Sequence, residues 1–499
     1  MPVHAGAVAA GHSETANAAR TILENGGNAF DAALAAFLAA CVAEPVLASL
    51  GGGGFLTSKT AEGAVETFDF FTQTPLQPAK PDQLDFYPVT ADFGPAQQQF
   101  HIGRGAIATP GAVAGLFAVH DAHGFMPLVD IAAPAIELAS RGVALNAFQA
   151  YLLSVVGSIY LSTPESIAQF CTATPTEGPK LLSLGEAYRP SGFVDFLSAL
   201  IREGSSLFYK DVAARALEAM AGSSIGPADL AAYKVLRREP LAVSVGGADV
   251  FVNPPPAIGG ALIVAMLHEV DRAGRYAPET FVEAMRRCNR FRPECRIDLE
   301  PEAGALKLAE LMGHPPSYRG TTHFSVADGA GNVVAMTVSN GEGSGIVVPG
   351  TGIMLNNMLG EEDLNQAGLM AWPTNRRLSS MMAPGVVRAE NGTWTAFGSG
   401  GSNRIRSALA QVLAALIFDS DTVSDAVERP RLHLEGGVLS AEPGFDEEDL
   451  KAALEQAESL KLWPERNMFF GGAHLVSKHA DGHVSGAGDP RRDGVFLVV

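Results

Sequence analysis

The chain has 499 residues, enough for several domains or one large layered one, and 47% hydrophobic against 18% charged residues favours a globular fold over a disordered or fibrous one. Lys and Arg number 35 against 54 Asp and Glu, a net charge of −19 that repels phosphate backbones and anionic lipid, so neither nucleic acid nor a membrane is an expected partner. The four cysteines, Cys41, Cys171, Cys288 and Cys295, have neither CxxC spacing nor the density of a disulfide scaffold and read as thiols in a reducing compartment.

Residues 13–43 read as two helices broken at Gly26-Gly27-Asn28, because apolar residues recur at helical spacing on both sides. The 12 uncharged residues at 32–43 fall short of the roughly 20 that a membrane span needs, which makes this a buried helix. The first ten residues carry no Lys or Arg and no leucine-rich run. The expected location is therefore cytoplasmic, or periplasmic or secreted if a leader has been removed. Residues 55–57 and 65–71 read as strands, 112–120 and 128–140 as helices, 248–252 as a strand and 260–270 as a helix. No period of 20–50 residues repeats, which sets solenoids and propellers aside.

After residue 321 strands dominate. Residues 322–327 and 333–339 alternate as two strands joined by Asp328-Gly329-Ala330-Gly331-Asn332, a strong hairpin signal. Short strands are expected at 345–348 and up to Asn356-Asn357, then a strand at 393–397, a tight loop at 398–402 and a helix at 404–418. The first turn of that helix would aim backbone N–H groups at the loop, an anion site on physical grounds alone.

HExxH, GxxxxGK[ST] and a GxGxxG set between strand and helix are all missing. Gly222-Ser223-Ser224-Ile225-Gly226 matches GxSxG, but a helix precedes it where a nucleophile elbow needs a strand, so a serine esterase acting through Ser224 is the weaker reading. The tetraglycine at 51–54 reads as a turn or close packing.

Taken together, several stretches resemble the γ-glutamyltransferase family of N-terminal-nucleophile hydrolases. They run in order from Gly26-Gly27-Asn28-Ala29-Phe30-Asp31, Glu44-Pro45 and Gly51 to Phe55, through Thr109-Pro110-Gly111 and Pro254-Pro255-Pro256. They continue with Thr321-Thr322-His323-Phe324-Ser325, Pro349-Gly350-Thr351-Gly352, Asn356-Asn357, Leu378-Ser379-Ser380-Met381, Gly400-Gly401 and Asp489-Pro490-Arg491. The resemblance implies an α/β (α+β) fold of the four-layer αββα type. It also implies a precursor that cuts itself between Gly320 and Thr321 into segments 1–320 and 321–499, interleaved in one unit as a heterodimer.

By the same resemblance Thr321 is the nucleophile, and the chemistry has a physical reason. After cleavage its own α-amino group, with an ordinary pKa of about 7.7–8.0, sits on the same residue to take the hydroxyl proton. Ser339 would orient that amine, the N–H groups of Gly400 and Gly401 would hold the oxyanion, and Asn340, Ser379 and Ser380 would bind the donor. No metal or other cofactor is required. The donor would be a γ-glutamyl or related acyl amide, and the acceptor water, an amine or a peptide.

The pattern breaks in two places. Family members carry an arginine that clamps the donor's α-carboxylate, and here Asp69-Phe70-Phe71 puts Phe71 in its place, which cannot make that bidentate contact. The Gln-Met-Asp-Asp that usually follows Asn356-Asn357 is replaced by Met358-Leu359-Gly360-Glu361-Glu362-Asp363, moving the acid to Glu361 or a neighbour. Arg104, Arg376, Arg377 and Arg404 are candidate substitutes for the clamp. A glutaryl or other acyl-amide acylase, and a non-catalytic scaffold that kept the fold, are the alternative readings.

Overall fold

The computed structural model describes residues 6–499 apart from 79, 93–96, 175–177, 275, 296–319, 362–363 and 366–367. Glu362 and Asp363 therefore lie outside the described residues, as does the side chain of Cys295.

The Thr322–Ala327 and Val333–Ser339 hairpin forms as the alternating residues predict, with Thr322 opposite Val338 and Ala327 opposite Val333. Asp328 closes the turn by accepting the N–H groups of Gly331 and Asn332. Gly53–Lys59 pairs antiparallel on one side of the hairpin and Ala7–Ala10 on the other. Val65–Phe70, Leu236–Arg238 and Val495–Val498 extend the sheet to seven strands. A second antiparallel sheet of six strands runs in the order Leu241–Val245, Ala248–Val252, Gly385–Arg388, Trp394–Gly400, Gly472–Lys478 and Val484–Ala487.

Small side chains let the two sheets pack face to face. Ala7, Ala9, Ala327 and Ala335 from one meet Val386, Ala396 and Val476 from the other. The outer face of the seven-stranded sheet, through Leu56, Phe68, Phe324 and Met336, is covered by helices including Ala29–Ala43 and Ala112–His123. Gly259–Ala273 and Arg404–Phe418 cover the six-stranded sheet over Val250, Val252 and Leu475. These four layers are the expected αββα sandwich. Among the described residues no helix is long and apolar enough to cross a membrane.

Ala29–Ala43 is buried at all fifteen positions, and its alanines allow the helix to lie close against the sheet. A capping box starts it: Asn28 accepts the Asp31 N–H while Asp31 accepts that of Asn28. It ends by delivering Glu44 to the sheet, where the carboxylate accepts the hydroxyls of Thr15 and Thr322.

Two expectations are corrected. Gly398, Ser399 and Gly400 are not part of a loop; they continue the strand, paired with His474, Ala473 and Gly472. The strands expected at 345–348 and up to Asn357 shrink to Val347–Val348 and Ile353–Met354, because Asn356 turns its N–H and its amide to the carbonyl of Gly51 instead. The cysteines Cys41, Cys171 and Cys288 are free thiols.

Candidate active site

Thr321 opens the Thr322–Ala327 strand and is buried beside the end of Val333–Ser339. The peptide bond between Gly320 and Thr321 lies just ahead of the Thr322–Ala327 strand. The Ser339 hydroxyl donates to the carbonyl of Gly320 at 2.6 Å, and so touches the bond itself. It also accepts the Gly341 N–H at 3.1 Å.

Gly400 lies against Thr321, and Gly401 follows it against Gly471. A Cβ at Gly400 would collide with the Thr321 carbonyl oxygen, and Gly401 has φ +126, a conformation that side chains resist. Behind them stands Arg492, whose guanidinium nitrogens are 2.9 and 3.2 Å from where Cβ atoms at Gly400 and Gly401 would be. Burial, with Arg404 nearby, lowers Arg492 to about 10, while Asp489, Glu342 and Glu44 act the other way, so it stays protonated at neutral pH.

Two imidazoles between the sheets are kept neutral. Burial, then the neighbouring His474, pushes His323 well below the usual histidine range, and burial brings His474 to about 4. Gly398 is glycine because the His323 ring occupies the place of its Cβ.

A narrow cavity reaches Thr321. Phe71, Met358, Leu364, Met381, Met382 and Ile405 supply apolar walls, and Ser339, Ser380, Ser402 and Glu361 the polar points. The structure thus brings together Thr321, Ser339, Ser380 and Glu361. Ser379 faces a neighbouring cleft with Trp372, Arg376 and Arg377. Asn340 is fully buried and lines neither, and both ends of its amide lack a hydrogen-bond partner.

None of the four candidate arginines lines the cavity. Arg104 bonds the carbonyl of Ala221. Arg377 is held by Asp69 at 3.2 Å, by the carbonyls of Phe71 and Lys234, and by the Tyr233 ring. Arg404 donates through Nε to the carbonyl of Phe469, and Arg376 sits in the neighbouring cleft. Phe71 itself is buried against Phe55, ring centroids 5.3 Å apart. Ser224 bonds the carbonyl of Ile107, a structural contact.

Glu342 and Arg492 escaped the sequence reading. Glu342 sits in a glycine-rich loop with no motif, and its approach to Gly320 is made only by the fold. Arg492 directly follows Asp489-Pro490-Arg491, and that adjacency was the available signal.

The fold, with a threonine at the head of a central strand, is that of an N-terminal-nucleophile hydrolase. The family model described as gamma-glutamyltranspeptidase matches residues 15–299 and 292–499, and the chain belongs to that family. The glutathione hydrolase proenzyme of Escherichia coli (strain K12) is 30% identical, over 94% of this chain and 87% of its own length. The Acylase ACY 1 proenzyme of Pseudomonas sp. (strain SE83) is 28% identical, over 99% and 93%. Among solved structures, cephalosporin acylase from Bacillus halodurans superposes with a TM-score of 0.78 at 23% identity, covering 99% of this chain and 96% of its own, a likeness of fold.

Proposed function

We propose that the protein is a self-processing acyl-transfer enzyme. It cuts itself between Gly320 and Thr321, then uses the Thr321 hydroxyl to take the acyl group of a γ-glutamyl or related acyl amide and pass it to water or an amine. The observation that carries this reading is the Ser339 hydroxyl on the Gly320 carbonyl, with Thr321 buried against Gly400. The proenzyme names of the two relatives agree with processing into two chains.

In the precursor, Ser339 polarises the carbonyl that Thr321 attacks. Once the chain is cut, the freed amine of Thr321 becomes the base for its own hydroxyl. The tetrahedral oxyanion is then held by the N–H groups of Gly400 and Gly401, with the Arg492 charge behind them. Glu361, Ser380 and the methionine-lined walls receive the acyl chain.

A second reading, an acylase for amides that lack the α-amino acid head, is favoured by one observation. Among the described residues, no Lys or Arg lines the cavity that reaches Thr321, so an α-carboxylate would meet Phe71 and the like-charged Glu361.

Purified wild type should resolve into segments of 320 and 179 residues, while Thr321→Ala remains whole and inactive. A wild-type chain that stays whole yet turns over substrate would refute the mechanism. A panel of γ-glutamyl, glutaryl and unsubstituted acyl anilides then separates the two readings of the donor.

A further inference from the structure

Gly320, the residue on the acyl side of the proposed cut, is held at both ends. Its carbonyl accepts the Ser339 hydroxyl, and its N–H donates to Oε1 of Glu342 at 2.7 Å. Its slot admits no side chain: a Cβ would stand 2.5 Å from the Gly341 carbonyl oxygen and 2.7 Å from that of Val46, with Oε2 of Glu342 at 3.4 Å. Glu342 is 3% exposed, and its own N–H is fixed on the side chain of Asn357 at 2.9 Å. The loop that returns Glu342 to Gly320 needs positive φ at Gly341, Gly343 and Gly345, which glycine adopts without strain. A carboxylate taken out of water is costly to place, and one oxygen of this one takes the N–H of the residue whose carbonyl carbon must be attacked.

Building on the reading of Thr321 as nucleophile, we propose that Glu342 is a positioning residue for self-cleavage, which fixes Gly320 so that its carbonyl carbon faces the Thr321 hydroxyl. The step balances without a further reagent except water. Oγ of Thr321 bonds to the Gly320 carbonyl carbon, the bond from that carbon to the Thr321 nitrogen breaks, and the hydroxyl proton ends on the freed nitrogen. Water then hydrolyses the ester, leaving the carboxylate of Gly320 and regenerating the hydroxyl of Thr321. Glu342 gains and loses no proton in this sequence. Its contribution is geometric, because glycine has more backbone freedom than any other residue and two tethers remove it at the one place where a near-attack geometry is required.

The test is the time course of fragment appearance from freshly translated precursor for wild type, Glu342→Gln and Glu342→Ala. Melting temperatures are measured on each in the uncleavable Thr321→Ala background. Glu342→Gln keeps an acceptor oxygen and should cleave within about ten-fold of wild type, whereas Glu342→Ala should be slower by about 10²-fold, the scale for misplacing a reacting group. The uncleavable forms should melt within a few degrees of one another. Glu342→Ala cleaving at the wild-type rate would overturn the inference alone, as would Glu342→Gln as slow as Glu342→Ala, or a loss of rate matched by a collapse in melting temperature. A wild-type chain that never cleaves would overturn the reading of Thr321 beneath it.

Discussion

Phe71→Arg is the substitution that tests donor recognition most directly. Phe71 is 1% exposed and stacks on Phe55 in the wall of the Thr321 cavity. An arginine there would place a guanidinium beside Glu361 and in reach of a donor carboxylate. Asp69, two residues earlier, would not capture it, since its oxygens already take Arg238 at 2.8 Å and Arg377 at 3.2 Å. Charge-assisted hydrogen bonds contribute about 1.5–3 kcal/mol, which is roughly 10–150-fold in kcat/KM for a γ-glutamyl donor. Against this stand the lost ring stacking, about 0.5–1.5 kcal/mol, and the desolvation of the new charge, which Glu361 partly offsets. A net gain of about ten-fold is the expected result.

The assay compares kcat/KM on γ-glutamyl anilide with that on γ-aminobutyryl anilide, the same donor without its α-carboxylate, for wild type, Phe71→Arg and Phe71→Met. Wild type should handle the γ-aminobutyryl compound at least as well as the γ-glutamyl one. Phe71→Arg should improve only the latter, and Phe71→Met, which removes the ring without adding charge, should improve neither. An unchanged or reduced γ-glutamyl kcat/KM in a Phe71→Arg protein that still cleaves itself and melts normally would refute the argument. So would a wild type that already prefers the carboxylate-bearing donor by ten-fold or more.

Other outcomes follow from the same geometry. Gly400→Ala and Gly401→Val should each lower kcat by roughly 10²-fold or more, the scale of one lost oxyanion donor, measured on processed protein; wild-type kcat in either would place the anion site elsewhere. His474, held at about 4 in the folded chain against about 6.5 unfolded, makes the unfolded state bind the extra proton, so stability should fall by up to about 3 kcal/mol as pH drops from 6.5 to 4. Melting curves across that range should be flatter for His474→Gln. Asp489, whose carboxylate is penalised by burial but drawn down overall by Arg431 and Arg491, should destabilise the fold by about 3–5 kcal/mol at pH 7 when replaced by Asn, because the buried Arg431 guanidinium loses its ion-pair partner while Arg491 keeps only Glu442. Its contribution, present above the ordinary Asp range, should vanish in acid as pH falls through its depressed folded value, so the two proteins should converge there in denaturant titrations.

Much of the fold was legible where local chemistry acts alone. The hairpin turn at Asp328 to Asn332, the helix break at Gly26-Gly27-Asn28 and the helix Arg404–Phe418 all carry their signals within a few residues. Glycine was less legible because it serves two purposes. The run from Gly398 to Gly401 reads as a turn, yet Gly398 is small to admit the His323 ring and Gly400 to admit the Thr321 carbonyl, both contacts between the two sheets. Only Gly401 has the positive φ that a turn would have required. Ser380 and Glu361 line the cavity that reaches Thr321, whereas Ser379, adjacent in sequence, lines another cleft, a difference set by how residues 378–382 cross the layers. Contacts such as Glu342 with Gly320 depend on loop return and leave no local trace.

The residues flanking Thr321 are each tied to a carboxyl group: Gly320 to Glu342 through its N–H, and Thr322 to Glu44 through its hydroxyl. Arg492, which stands against Gly400 and Gly401, feels both acids. Burying three ionisable groups around one threonine is expensive, with desolvation holding the Glu44 carboxyl above the usual carboxylate range, and an apolar core of equal volume would hold the fold at least as well. Packing alone, however, leaves side chains free to settle by several tenths of an ångström, while hydrogen bonds to buried charges are directional and short. Attack on the Gly320 carbonyl, and later on a donor amide, requires Thr321 to be fixed with respect to both its own neighbours and the glycine donors. A single guanidinium that lies between the two tethering acids and against Gly400 and Gly401 would couple those requirements. The polar cluster is therefore better explained by the geometry of acyl transfer than by the stability of the sandwich.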